Sequence, residues 1–146
     1  MYQNTVTLFN RKRGNSGTGD TWYPTVLHNV NLVIDRAAVV AKYGADAKDN
    51  AILNVQYKTQ NGEITVAGKP WMPPKAWDKT TDSITFAGGS DFDFFWEGEW
   101  TDGIKQDAEY GDEGFYGYMN RTHDFVFAIN SVSKLSVIPH FEITGK

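Results

Sequence analysis

The sequence predicts a mainly β chain, folded as a small single-domain β-barrel or sandwich with one or two short helical turns. Three observations lead there. Short runs of alternating apolar and polar residues recur along all 146 residues, separated by Gly, Pro and Asn-rich turn signals. No long amphipathic pattern of helical period is present. The composition, 40% hydrophobic and 14% aromatic, supports a packed core in one domain of ordinary size.

The elements follow in order. Thr5 to Phe9, TVTLF, alternates as a strand, and NRKRGNSGTGD after it reads as an exposed glycine-rich loop. TWYPTVLHNVNLVI is a second strand, rich in aromatic and β-branched residues. Its Pro24 cannot donate to a ladder and therefore belongs at an edge, a bulge or a strand start. DRAAVVAKYGADAKDN reads equally as a helical turn stopped by Gly44 or as a strand. AILNVQYKT and ITVAG are strands joined at Asn61-Gly62, a strong hairpin signal. KPWMPPKAWDKTTD has three prolines and is loop or extended chain, pinned by Trp71 and Trp77. SITFAGGSD is a strand and a glycine turn. TDGIKQDAEYGDEG is polar, acidic and exposed, and FYGYMN forms a short helical turn. DFVFAINSVSKLSVIPHFEITG closes the chain with two or three strands.

The segment DFDFFWEGEW, Asp91 to Trp100, is the one that bears on function. Alternation puts Phe92, Phe94 and Trp96 on one buried face. It puts Asp91, Asp93, Phe95, Glu97 and Glu99 on the other, wet face. Gly98 breaks the strand or makes a bulge.

Charge is unevenly spread. The chain carries −4 overall, which argues against a general nucleic-acid coat. Asp91 to Glu113 holds nine acids and one base, a local −8, so the remainder is +4. The acids Asp91, Asp93, Glu97, Glu99, Asp107 and Glu109 form a candidate acidic interface or lumen face. The triplet Arg11, Lys12 and Arg13 is a candidate contact for an acidic partner or DNA phosphate.

Signatures of catalysis are weak. There is no cysteine, which excludes disulfides, thiolate metal sites and a cysteine nucleophile and fits a reducing cytoplasm. GNSGTGD lacks the Gly-Lys-Ser/Thr ending of a phosphate-binding loop. No serine lies in a Gly-x-Ser-x-Gly elbow. His28, His123 and His140 lack the helical i, i+4 spacing of a metal pair. Glu97 and Glu99, about 7 Å apart at strand spacing, fall between the separations of retaining and inverting glycosidases. Asp107, Glu109 and Asp112 sit in a loop with a glycine but do not match an EF-hand. The expectation is a non-enzymatic protein without metal or cofactor. The N-terminus has no apolar core of signal-peptide length, and no window reaches the roughly 20 apolar residues of a membrane span.

Three stretches carry a family resemblance: NTVTLFNRKRG with TWYPTVLHNVNL, then PPKAWDKTTDSITFAGGSDFDFFWEG, then FAINSVSKLSVIPHFEITGK. In this order the chain resembles small proteins of the head–tail gene modules of tailed phages and prophages of Gram-positive bacteria, a family of unknown biochemical activity. It departs from shorter members by the insertion TDGIKQDAEYGDEGFYGYMNRT, around 101–122. The resemblance implies a connector, stopper or minor structural protein. It would be assembled in the host cytoplasm, form or dock on a homo-oligomeric ring with other head–tail proteins, and lie near DNA in the virion. A carbohydrate-binding module using exposed tryptophans is the alternative reading, motivated by five tryptophans.

Overall fold

Ten strands make up the frame of the computed structural model, which describes residues 2–14, 19–34, 51–78, 80 and 82–146. They are β1 (Asn4–Lys12), β2 (Thr21–Ile34), β3 (Ala51–Gln56), β4 (Lys58–Gln60) and β5 (Glu63–Val66). The rest are β6 (Lys69–Pro70), β7 (Phe94–Glu97), β8 (Lys105–Gln106), β9 (Val126–Leu135) and β10 (His140–Gly145). Two helices accompany them, α1 (Pro74–Trp77) and α2 (Gly114–Thr122), with 3-10 turns at Gly89–Asp91 and Asp107–Glu113. The ambiguous stretch Asp35–Asn50 lies outside the described residues, as does Asn15–Thr18 of the glycine-rich loop.

Six strands close into an antiparallel barrel in the order β1-β7-β9-β10-β3-β2, with β2 returning to β1. Of the two architectures the alternation predicts, barrel or sandwich, this is the barrel, and closure satisfies strand edges that an open sheet would leave bare. β2 is long enough to serve twice. Its first half pairs with β1, and Asn31–Ile34 pairs with β3. Pro24 sits opposite Phe9, in the stretch of β2 between its ladder to β8, which ends at Trp22, and its ladder to β3, which starts at Asn31. The missing N–H therefore costs no ladder bond there.

Side-chain periodicity fills the barrel. Val6 and Leu8 of β1, Leu53 and Val55 of β3, Phe95 of β7, Phe127 and Ile129 of β9, and Phe141 and Ile143 of β10 share one buried cluster. The approach is close at the C-terminal strand. A Cβ on Gly145 would stand 2.9 Å from Cβ of Phe127, so only glycine lets Phe95 and Phe127 pack there.

The β4–β5 hairpin turns at Asn61 (φ 55) and Gly62 (φ 80), as that dipeptide predicts. A second two-residue turn, Ala67 (φ 52) and Gly68 (φ 77), adds β6 and completes a small three-stranded sheet. Trp71 and Trp77 do pin the proline-rich loop. The Trp71 ring lies 4.9 Å from that of Phe141, and Trp77, 5% exposed, donates from Nε1 to Ser83 O at 3.0 Å.

A second core lies outside the barrel and corrects the reading of two segments. Phe9 of β1, Trp22 of β2, Phe94 of β7, Val126 of β9, and Phe115 and Met119 of α2 are all buried together. The acidic part of the insertion, 101–114, is largely exposed as expected, while the helix that follows it buries Phe115 and Met119. This helix lays an apolar face over the outer side of β1, β2 and β7. As a result β1 is buried on both faces, from Val6 through Asn10. Phe95, expected on the wet face, points into the barrel, while Phe94 faces the insertion; both are fully buried. Phe92 and Trp96 keep the expected apolar side but are only half-buried.

Two carboxylates build the insertion. Asp107 accepts from Trp22 Nε1 at 2.7 Å and from Phe115 N at 2.9 Å, which ties the start of α2 to β2. Glu109 accepts from Gln106 N at 2.7 Å and closes a capping box over the 3-10 turn. Hydrogen bonds to a charged acceptor contribute about 1.5–3 kcal/mol each. Asp107→Ala is expected to lose about 2–4 kcal/mol in urea unfolding followed by tryptophan fluorescence, with the Trp22 signal reporting the loosened insertion.

Candidate functional site

A cleft of about 440 Å³ lies beside β9. Its walls come from Val132 of β9, Thr85 to Gly88, and Pro74, Lys75 and Trp77 of α1. Asp93 lies at its base, 1% exposed.

Asp93 is the most unusual group in the described structure. Its Oδ1 accepts from Arg11 N at 2.9 Å. Its Oδ2 accepts from Asn10 Nδ2 at 2.8 Å and from Ala87 N at 3.0 Å. Its own N–H donates to Ala87 O at 2.7 Å, and its carbonyl accepts from Ile129 N at 2.9 Å. Asn10 Nδ2 also donates to Thr85 O at 2.7 Å. Burial pushes the carboxyl up to about 7, against the pull of the Arg11 and Ala87 amides, the Asn10 amide and the Arg11 charge. Both oxygens are committed to N–H donors within the fold. The group is arranged to hold three chain segments together.

The basic triplet is drawn into this frame. Arg11 lies between two aromatic rings, 4.7 Å from Trp22 and 4.6 Å from Phe92. Its guanidinium donates to Phe92 O at 2.7 Å and pairs with Asp20 at 3.4 Å. Lys12 Nζ donates to Thr80 O at 2.8 Å and stands 4.9 Å over the Trp77 ring. Arg13 pairs with Asp91 at the surface, and that carboxylate raises its pKa. Strand alternation splits the three: Arg11 packs outside the barrel and Lys12 beside Trp77, while Arg13 stays exposed.

The six acids do not form one face. Asp91 pairs with Arg13, Asp93 is buried, and Asp107 and Glu109 organise the insertion. Asp93 thereby departs from the wet row in which alternation puts it. Glu97 is half-buried and Glu99 exposed. The assumed strand spacing between these two fails, because β7 ends at Glu97 and Gly98 adopts φ +151. A Cβ there would lie 2.6 Å from the Trp96 ring, so Gly98 is the residue that lets the chain turn beneath that indole. Thr7 Oγ1 fixes the turn, donating to Gly98 O and accepting from Trp100 N, each at 2.9 Å.

Among the described residues no three histidines or acids converge as a metal site. His28 Nδ1 is 3.4 Å from Thr5 Oγ1, and His140 Nδ1 is 2.7 Å from Ile138 O. All five tryptophans are buried or half-buried. Trp96 and Trp100 pack edge to face, 6.1 Å apart, with the His123 ring 5.3 Å from Trp96.

An exposed apolar surface the sequence reading passed over lies at the β9–β10 turn. Leu135 is 40% exposed, Val137 97% and Ile138 68%. Alternation does not reveal it, because Val137 and Ile138 fall in the turn instead of on a strand face.

These features define a class: a closed six-stranded barrel with a helical insertion on its outer wall, an internal carboxylate knot and an apolar hairpin tip. The chain belongs to the family of unknown function DUF6751, which it matches over residues 1–146. No curated protein and no solved structure matches it. No helix among the described residues is long and apolar enough to cross a membrane.

The Asp93 carboxyl makes a pH prediction. Its pKa is about 7 in the fold and about 3.8 when unfolded, so the folded chain binds the extra proton between those values. Its contribution to stability is full below pH 4, falls as pH rises toward 7, and is flat above. At the usual conversion from pKa to free energy the fall amounts to at most about 4 kcal/mol. Asp93→Asn removes this dependence and sets an amide N–H₂ against donors from Asn10 and Ala87. Urea midpoints from pH 4 to 8 are expected to slope downward in the wild type. The variant is expected to show a flatter profile and lower stability at pH 4. Parallel profiles would contradict the assignment.

Proposed function

We propose that the chain is a non-enzymatic structural protein of the phage virion that acts in head–tail joining, as a connector, stopper or related minor structural part. The observation that carries this reading is the apolar hairpin tip, Leu135, Val137 and Ile138, raised on a closed barrel. Exposed apolar residues grouped at one hairpin turn suit a protein contact. The tip is continuous with two barrel strands, so a force or a fit at the tip is borne by the sheet.

The order of sequence motifs supports the head–tail setting. The chemistry of the interior supports a structural role. The most perturbed carboxyl, Asp93, accepts three internal N–H groups, and Arg11 and Lys12 are held by rings and carbonyls. In this reading the chain joins a homo-oligomeric ring or docks on one, and DNA passes nearby without specific contact. Exposed acids such as Glu99, Asp102 and Asp112 would keep phosphate from adhering. A carbohydrate-binding module has less to use, since a stacking platform needs an exposed indole face and no tryptophan is exposed.

Purified virions of a phage that encodes this chain test the reading. Peptides of the chain are expected in the virion, and an antibody against it is expected to label the neck in negative-stain images. Its absence from virions that otherwise contain the full head and tail would overturn the proposal.

A further inference from the structure

We infer that a pocket between β2, β6 and the segment after α1 binds a small phosphate monoester, with Lys12 and Lys69 as its cationic contacts. This site goes beyond the function proposed above and does not rest on it.

The first observation is a pair of lysines without a counter-charge. Lys12 of β1 and Lys69 of β6 line one pocket of about 350 Å³, and both are half-buried. Lys12 Nζ donates to Thr80 O at 2.8 Å, and Lys69 Nζ donates to Thr25 Oγ1 at 3.1 Å. An ammonium carries three donors, so these neutral partners leave both lysines with donors to spare. Neither lysine forms an ion pair among the described residues. The register of β2 brings them together. Lys12 Nζ stands 5.6 Å from the centre of the Tyr23 ring, and Lys69 reaches Thr25. Tyr23 and Thr25 are two apart on one strand, so they share a face about 7 Å from each other. Burying a cation without a counter-charge is costly. An oxyanion between the two ammoniums offsets that cost for both, and lysine is an effective point-charge contact for phosphate.

The second observation is the wall around them. Tyr23 and Pro24 give the pocket an apolar side, and Ile104 lines it while 56% exposed. These groups suit a ligand whose anionic head carries an apolar body. Asp82 is the one acid among the described lining residues, and it is exposed. Two lysines against one aspartate leave the lining with one net positive charge. A phosphate monoester, close to doubly charged at neutral pH, gains more from the two lysines than a carboxylate does.

NMR titration of the ¹⁵N-labelled chain tests the site, with phenyl phosphate, inorganic phosphate and benzoate as probes at constant ionic strength. Phenyl phosphate is expected to give saturable shifts at the amides of Thr25, Lys69 and Ser83. It is expected to bind about tenfold more tightly than benzoate or inorganic phosphate. Lys12→Gln and Lys69→Gln are each expected to weaken it about tenfold. Asp82→Asn is expected to tighten it, and asparagine tolerates the φ of 55° at that position. Lys69 lies in the two-residue strand β6, outside the barrel, so its variant reports on binding even if Lys12→Gln fails to fold. Shifts that stay linear, or that scatter over Arg13, Lys58 and Lys134 instead of the pocket, overturn the inference. So does Lys69→Gln binding phenyl phosphate like the wild type, or Asp82→Asn leaving affinity unchanged. Benzoate binding as tightly as phenyl phosphate overturns the choice of phosphate, and inorganic phosphate doing so overturns the apolar body. None of these outcomes depends on whether the chain is found in a virion.

Discussion

The buried carboxylate of Asp93 is the constraint around which the rest of the molecule is arranged. It receives N–H groups from β1 and from the segment before the Gly88 turn, while its own backbone bonds to that segment and to β9. Three chain segments, β1, the stretch before Gly88 and β9, are thus locked at one point. A carboxylate can do this because two oxygens accept several donors at once, which a neutral amide cannot match. The same burial that makes these bonds strong raises the cost of the charge, and the fold carries that cost in the raised pKa of the group.

From that knot the two cores follow. With β1 fixed by Asn10 and Arg11, its even positions, Val6 and Leu8, fill the barrel. Phe9 turns outward to meet Phe94 at 4.7 Å and Phe115 at 5.1 Å. The outer side of a barrel is ordinarily wet. Here the insertion covers part of it, and Asp107 holds the cover down through Trp22. Arg11 completes the joint between the two layers, its guanidinium packed on Trp22 and Phe92 while it donates to a carbonyl. A planar cation suits that slot because it stacks and donates together, which the ammonium of a lysine cannot do.

The charge asymmetry takes on a different meaning once the partners are known. Of the acids between Asp91 and Glu113, several serve the fold: Asp93 in the knot, Asp107 and Glu109 in the caps, Glu113 paired with Arg121 at 2.8 Å. The surplus of negative charge is concentrated on the insertion side, and the apolar tip lies at the far end of β9 from the strand's start under α2.

Much of the frame was legible in the residues. The alternation of TVTLF, the Asn61-Gly62 turn and the absence of a long amphipathic helix determined a β-rich domain, and the strand over Thr21–Ile34 coincides with its sequence pattern. Alternation also separated Phe94 from Phe95. It could not say that both sides would be dry, because period 2 distinguishes two faces without saying what covers each. Whether Asp93 is solvated or buried depends on Asn10 and Ile129, which are remote in sequence, as well as on nearby Ala87. Whether Arg11, Lys12 and Arg13 are free depends on rings and carbonyls contributed by other strands. The sequence by itself determined the elements and the inward row of the barrel. Only the tertiary structure decided which charges became internal bonds and which surface was left apolar, since burial and pairing are properties of contacts between segments and are not local to any one of them.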